Sequence, residues 1–275
     1  MKILIIGAGK MATALAGGMV RKGLFPPESI TAIDPSADAR KAFTAATGVS
    51  CLPEATEETT SQADVLLLAI KPQVAESVCQ ALPPRKPNVL VLSICAGIPL
   101  ARLREWFEDA RLVRVMPNTP LMVGEGASCY ACSDENDRES DEFAAGVLGT
   151  LGQTWHVPER YLDAVTALSG SGPAYFFAFV EALRDGGTAL GLPAELAEGL
   201  AIQTLLGAAE MLKRELGTPA ALREAVTSKG GTTAAALEVL SQHDFKGLVA
   251  ELMRAAANRS AELGRGGKTE EGKKR

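Results

Sequence analysis

The sequence predicts an α/β unit with a mostly parallel sheet, followed by an all-helical unit. Three observations carry that reading. Short apolar runs alternate with helical stretches through the first 158 residues. Such runs mark strands covered on both faces. The apolar run at residues 3–6 passes directly into Gly7-Ala8-Gly9, a strand-turn-helix pattern. From Arg160 onward strand patterning stops and long Ala/Leu-rich stretches take over.

Taken in order, residues 2–6 form a buried strand, and the glycine turn opens a helix that reaches about Lys22, where Gly23 stops it. Pro26-Pro27 marks a loop. Residues 30–33 are a second strand ending at Asp34, and residues 37–46 a helix. Residues 63–70 hold the strand Val65-Leu66-Leu67-Leu68, closed by Lys71-Pro72; residues 74–82 are helical. A strand at 89–94 ends at Cys95-Ala96-Gly97, a helix covers 99–107, and a strand covers 112–116. Residues 127–131 and 154–157 add edge strands. In the second unit, residues 173–190 form a helix with proline in its first turn and serines before it. A long helix at 193–216 is ended by Gly217, Thr218-Pro219 starts another, and residues 245–263 form the last. The expected domains are therefore 1–158, 159–264 and a mobile tail, 265–275, in which Lys268, Lys273, Lys274 and Arg275 are interleaved with Glu270 and Glu271.

Composition narrows the function classes. The chain has 275 residues, 47% of them apolar, which is enough for real cores. Twenty-eight basic against 33 acidic residues give a net charge of −5, and aromatics are only 5%. That balance argues against nucleic acid as a partner. No window approaches the roughly 18 apolar residues a membrane helix needs, so no membrane partner is expected. The five cysteines are odd in number and scattered, as reduced thiols of a cytoplasmic protein are. Long apolar helices in so small a second domain would leave apolar faces exposed in a monomer, which predicts a helix-mediated homodimer.

Two glycine-rich turns carry the chemistry. In Gly7-Ala8-Gly9-Lys10-Met11-Ala12, Gly7 permits the tight turn, Gly9 lets backbone approach a pyrophosphate, and Ala12 keeps the helix close to the sheet. This is a dinucleotide site. Two readings stand for Asp34: a carboxylate on the adenosine ribose, which would repel a 2′-phosphate and favour NADH, or a helix cap, a role Ser36 can equally fill. Ser36 and Arg40 could instead meet a phosphate. Lys71-Pro72 and Cys95-Ala96-Gly97 fall at the C-terminal ends of parallel strands, where such sheets bind ligands. The second turn, Ser228-Lys229-Gly230-Gly231-Thr232-Thr233, feeds a helix and gathers backbone N–H groups and hydroxyls into a small-anion site.

Further candidates are Asn118, held between Pro117 and Pro120, and Ser171 in the Ser169–Tyr175 stretch, as substrate contact or helix cap. His156 and His243 are expected to be structural or solvent-facing. Cys129 and Cys132 form a C-x-x-C, but alternation along a strand points them to opposite faces, and no metal is expected. No lysine occurs between Lys86 and Lys213. Hydroxyacid dehydrogenases of similar two-domain build use a lysine there as acid/base. Its absence favours reduction of an imine, whose nitrogen takes a proton readily, with hydride supplied by the cofactor.

Together these motifs resemble the pyrroline-5-carboxylate reductase family. The resemblance runs from Gly7-Ala8-Gly9-Lys10-Met11 through Ala69-Ile70-Lys71-Pro72, Ser93-Ile94-Cys95-Ala96-Gly97, Met116-Pro117-Asn118-Thr119-Pro120 and Ser169–Tyr175 to Ser228–Thr233. It implies a Rossmann-type N-terminal domain, an all-α C-terminal dimerisation domain, and dimers often gathered into decamers. It implies reduction of 1-pyrroline-5-carboxylate to L-proline with NADPH or NADH. Backbone around Gly230, Gly231, Thr232 and Thr233 would hold the carboxylate, with Asn118 and Ser171 beside the substrate. Thr233 would face the ring nitrogen as hydrogen-bond partner or proton source, and Ser228 is the second catalytic hydroxyl. Ala69, Ile70, Lys71, Pro72, Cys95, Ala96 and Gly97 would line the cofactor. The family usually has proline where Lys229 stands, and often serine or threonine where Asp34 stands, with a preference for NADPH. A reductase of another small cyclic imino acid, and a nucleotide sensor without turnover, are the alternatives.

Overall fold

A computed structural model describes residues 1–264; the expected tail 265–275 lies outside the described residues. The chain divides into two compact units. One is built on the sheet and comprises residues 1–171 with the C-terminal stretch from Ala255; the other comprises Gly172–Arg254. The sheet unit thus runs past the expected boundary at 158 and takes back the end of the last helix.

Among the described residues the sheet has eight strands: β1 (Ile3–Ile6), β2 (Ile30–Ile33), β3 (Ser50–Leu52), β4 (Val65–Leu68), β5 (Leu90–Ser93), β6 (Arg111–Met116), β7 (Gly126–Cys132) and β8 (Gly152–His156). Their order is β3-β2-β1-β4-β5-β6-β7-β8. All neighbours are parallel except β6 and β7. The order reverses at β1, with β2 on one side and β4 on the other, the switch point at which doubly wound sheets bind ligands. Of the two strands expected at the edge, β8 is the edge and β7 lies inside it.

Alternate residues of each strand enter opposite cores. Ile3, Ile5, Leu67 and Leu92 pack with Leu15 and Met19 of α1 (Lys10–Arg21), Phe43 of α2 (Ala37–Thr47) and Val147 of α6 (Arg138–Gly149). Leu4, Ile6, Leu66 and Leu68 pack with Cys79 of α4 (Pro72–Gln80), Leu103 of α5 (Leu100–Trp106) and Leu162 of α7 (Leu162–Val165). Each such Leu or Ile, wholly buried, contributes about 1.5–3 kcal/mol. Four elements escape the sequence pattern: β3, α3 (Glu57–Gln62), α6 and α7.

The helical unit holds α8 (Gly172–Ala189), α9 (Ala194–Lys213), α10 (Pro219–Ala225), α11 (Thr232–Gln242) and the first half of α12 (Phe245–Gly264). The Thr218 side chain caps α10 at Ala221 N, and Pro219 takes its first position. A Cβ on Gly187 would meet Ala197 Cβ at 3.0 Å, so small residues set the approach of α8 and α9. No described helix is long and apolar enough to cross a membrane.

Candidate active site

The first glycine turn is built by two constraints. Gly7 has φ +101°, and a Cβ there would meet the Ala69 carbonyl oxygen at 2.6 Å. The position therefore demands glycine both for its backbone and for the close pass of β4's end. Gly9 precedes α1 with open space beside it, and no side chain caps the helix. The first turn of α1 also lacks acidic residues. Uncapped N–H groups with clear space in front suit a pyrophosphate, so these residues fit a dinucleotide.

Asp34 sits against this turn. Its Oδ2 accepts from Ala8 N at 2.9 Å and its Oδ1 from Ser36 N at 2.9 Å. Each carboxylate oxygen has a second lone pair left for a ribose hydroxyl. The cap of α2 is Ser36, whose side chain accepts from Ala39 N, and that role does not fall to Asp34. Arg40 donates through Nη1 to the carbonyls of Asp34 and Pro35 at 2.9 Å, which ties it to the chain beside the carboxylate.

The other cofactor candidates take distinct places. Lys71 is exposed and precedes α4 without a side-chain cap, with Pro72 at the helix's first position; Ala69 and Ile70 are half-buried. Cys95 turns inward, its Sγ 3.3 Å from the Ile70 carbonyl, and burial pushes its thiol up. Its side chain belongs to the core on the α4 and α5 face. Gly97, at φ +78°, supports the last helix: a Cβ there would meet Leu263 Cβ and Ser260 O at 3.0 Å.

One cluster was missed in the sequence. Arg114 is buried on β6, with Nη1 3.2 Å from Glu159 Oε1 and Nη2 3.1 Å from Asp163 Oδ1. Ser260 of α12 donates to the same Asp163 oxygen at 2.7 Å. A buried guanidinium must be paired, and here the pairing fixes α7 and the end of α12 on the sheet. The Arg114–Asp163 and Asp163–Ser260 partners are 49 and 97 residues apart, so no local pattern announces them.

Asn118 is 8% exposed and its Oδ1 accepts from Ala127 N at 2.9 Å, which pins the loop after β6 to the start of β7. Ser171 is itself helical, with φ −86° and ψ −20°, and its N–H donates to Thr166 O at the end of a π-turn, Thr166–Gly170. It therefore lacks the extended backbone of an N-cap and is the single residue between the π-turn and α8.

In the helical unit, the second glycine turn closes with Gly231 N donating to Ser228 O at 3.0 Å. Gly230 takes φ +71°, as the third position of a type II turn requires. Gly231 precedes α11 without a side-chain cap, and the first turn of α11 has no acidic residue. Thr232 is exposed and Thr233 half-buried at the first two helical positions. Ser228 Oγ lies over Gly231, 2.3 Å from where a Cβ would be, so only glycine leaves that hydroxyl its place. Uncapped N–H groups flanked by three hydroxyls suit a small anion.

Residues 2–97 match the family described as NADP oxidoreductase, coenzyme F420-dependent, and residues 159–263 match pyrroline-5-carboxylate reductase dimerisation. A pyrroline-5-carboxylate reductase of Pseudomonas aeruginosa is 43% identical over 95% of this chain and 96% of its own length. That of Glycine max is 42% identical over 94% of each.

The chain belongs to the pyrroline-5-carboxylate reductase family.

Solved reductases of this family share the fold. The Plasmodium falciparum pyrroline carboxylate reductase, with NADP bound, has a TM-score of 0.85 at 31% identity, covering 96% of this chain and 98% of that one. The Coxiella burnetii pyrroline-5-carboxylate reductase gives 0.85 at 34%, covering 95% and 98%. As a pyrroline-5-carboxylate reductase family member the chain is an oxidoreductase with a Rossmann-type N-terminal fold and a helical dimerisation region, through which it forms a homo-oligomer.

Proposed function

We propose that the chain reduces 1-pyrroline-5-carboxylate to L-proline, the last step of proline biosynthesis, with NADPH or NADH. The observation that carries the reading is the pair of uncapped helix N-termini behind glycine turns, α1 for a pyrophosphate and α11 for a carboxylate. The bound nicotinamide supplies the hydride. Gly7, Ala8, Gly9, Lys10, Met11 and Ala12 hold the dinucleotide, with Asp34 at its ribose; Ser36 sets α2 in place behind it. Ala69–Pro72 and Cys95–Gly97 line the cofactor at the strand ends. N–H groups from Gly230 to Thr233 hold the substrate carboxylate. The Thr233 hydroxyl is the hydrogen-bond partner of the ring nitrogen, and Ser228 is the second hydroxyl at that loop. Asn118 and Ser171 are carried as substrate contacts, Asn118 through a loop its own side chain stiffens.

A homodimer through the C-terminal helices, gathered further into a decamer, is part of this reading and is checked by light-scattering mass. So is a cytoplasmic place, which the five free cysteines support.

The test is oxidation of NADH and NADPH in parallel, with 1-pyrroline-5-carboxylate and with a panel of other cyclic imino acids. Turnover with 1-pyrroline-5-carboxylate is expected. Turnover only with another imine would replace the substrate, and tight cofactor binding with no turnover would leave a sensor. Asp34→Ser is expected to move the NADPH/NADH preference toward NADPH, because it removes the negative charge that opposes a 2′-phosphate. An unchanged ratio would confine Asp34 to its bonds with Ala8 and Ser36.

A further inference from the structure

On the face of the sheet under α6, three elements converge on one point. Cys132 ends β7, His156 ends β8, and Asp141 stands in the first turn of α6. Each offers a ligand atom, and the three atoms lie within 4.8 Å of one another. His156 Nδ1 is 2.8 Å from Asp141 Oδ1, and the His156 ring stacks on Tyr130 with centroids 5.1 Å apart. The Tyr130 hydroxyl donates to the same Asp141 oxygen at 2.8 Å. The partner in the C-x-x-C, Cys129, packs in the opposite core and takes no part.

We propose that Cys132, Asp141 and His156 form a binding site for a zinc-class divalent cation. One sulfur, one nitrogen and one carboxylate oxygen make a donor set of borderline softness, which selects Zn²⁺ over the hard cations. Tetrahedral bonds of about 2.0–2.3 Å separate neighbouring ligand atoms by roughly 3.3–3.6 Å. The cluster reaches that spacing if the 2.8 Å Asp141–His156 contact opens slightly and Cys132 Sγ, within 4.8 Å of both ligand atoms, adjusts to match. The side chains of His156 and Asp141 are 33% and 39% exposed, which leaves a way in, while Cys132 is buried. Tyr130 already holds Asp141 from behind, as ligands are held in built sites. Asp137 and Asp134 add negative charge near Cys132, Asp137 being partly offset by Arg111 at 3.7 Å. Binding replaces the Cys132 S–H bond by an S–metal bond and releases that proton to solvent.

Within the sheet unit the site is remote from the glycine turn proposed to hold the cofactor. Cys132 pairs with Val113 in the first half of β6, and Cys129 with Met116 at its end. The cluster therefore lies toward the N-terminal edge of the parallel strands, opposite the glycine turn. A cation there would tie β7, β8 and α6 together, and its work would be structural.

Co²⁺, a coloured stand-in for Zn²⁺, tests this on the full chain after chelator treatment. One Co²⁺ per chain is expected, with a thiolate-to-cobalt charge-transfer band that Zn²⁺ displaces. Cys132→Ser should abolish the band, and His156→Gln, at a part-exposed position that leaves the core intact, should weaken binding about tenfold or more. Absence of stoichiometric binding in excess metal would overturn the proposal. So would a band that survives in Cys132→Ser, since another cysteine would then be the ligand, or unaltered affinity in His156→Gln.

Discussion

In the sheet unit Leu66, Leu67 and Leu68 are fully buried; in the helical unit Leu200, Leu206 and Phe177 leave half or more of their surface exposed. The sheet unit closes two cores of its own, one on each face. Among the described residues of Gly172–Arg254, Ala197 and Ala201 are the buried apolar side chains, both small. The difference lies in where the apolar stripe finds its cover. A strand with alternate residues facing two helical layers is covered by its own chain, whereas α8 and α9 carry apolar residues around most of their girth and need a second copy. The family's dimerisation region coincides with this part of the chain.

Substitutions sharpen that contrast. The largest effect is expected at Leu67→Ala, which opens a cavity in a closed core and costs about 2–5 kcal/mol. Its loss of stability in denaturant melts should be the same at every protein concentration. Leu200→Glu, on the exposed side of α9, should cost about 2 kcal/mol in assembly, as loss of a central interface residue does. Sedimentation velocity should show dissociation, with a Tm that now varies with concentration. If Leu200→Glu melts and sediments like the parent, the exposed stripe is not the interface. Thr233→Ala should lower kcat/KM on the order of tenfold or more, about 1.4 kcal/mol, with cofactor Kd unchanged. Unchanged kinetics would remove Thr233 from the reaction. The smallest effect is expected at Lys229→Pro. Gly230 at φ +71° and the Ser228–Gly231 bond make Lys229 the second residue of the turn, where proline is already shaped to fit. The gain should be about 0.4–1 kcal/mol in thermal melts, since the unfolded chain loses freedom. A loss of stability would mean that the turn at 229 does not accept proline's φ.

Legibility in the sequence followed the length scale of the interaction. Strands β1, β2, β4, β5 and β6 were readable because each is a short, largely apolar run with most residues buried. β3 is three residues long and half exposed, too short to show a period. α3 is six polar residues held by a Thr56–Thr59 capping box, with no apolar stripe. α6 opens with Arg138-Glu139-Ser140-Asp141, which reads as a continuation of the polar loop before it; its cap is Asp137, which accepts from Ser140 N. The two glycine turns were legible since turn chemistry is local. Which of Asp34 and Ser36 caps α2 was not, because the answer depends on Ala8, 26 residues away. The Arg114–Asp163–Ser260 cluster and the Cys132–Asp141–His156 point are assembled by the sheet from distant segments, so spacing alone could not reveal either.

The contact between Gly97 and the end of α12 bears on protein engineering. A Cβ at Gly264 would stand 2.2 Å from Gly97 O, and one at Gly97 would press on Leu263 and Ser260. The two glycines, far apart in the chain, fit only as a pair. A chimera that grafts the last helix of a relative onto this sheet must therefore import the matching turn after β5 as well. Without it the graft will unseat the helix whose Ser260 holds Asp163.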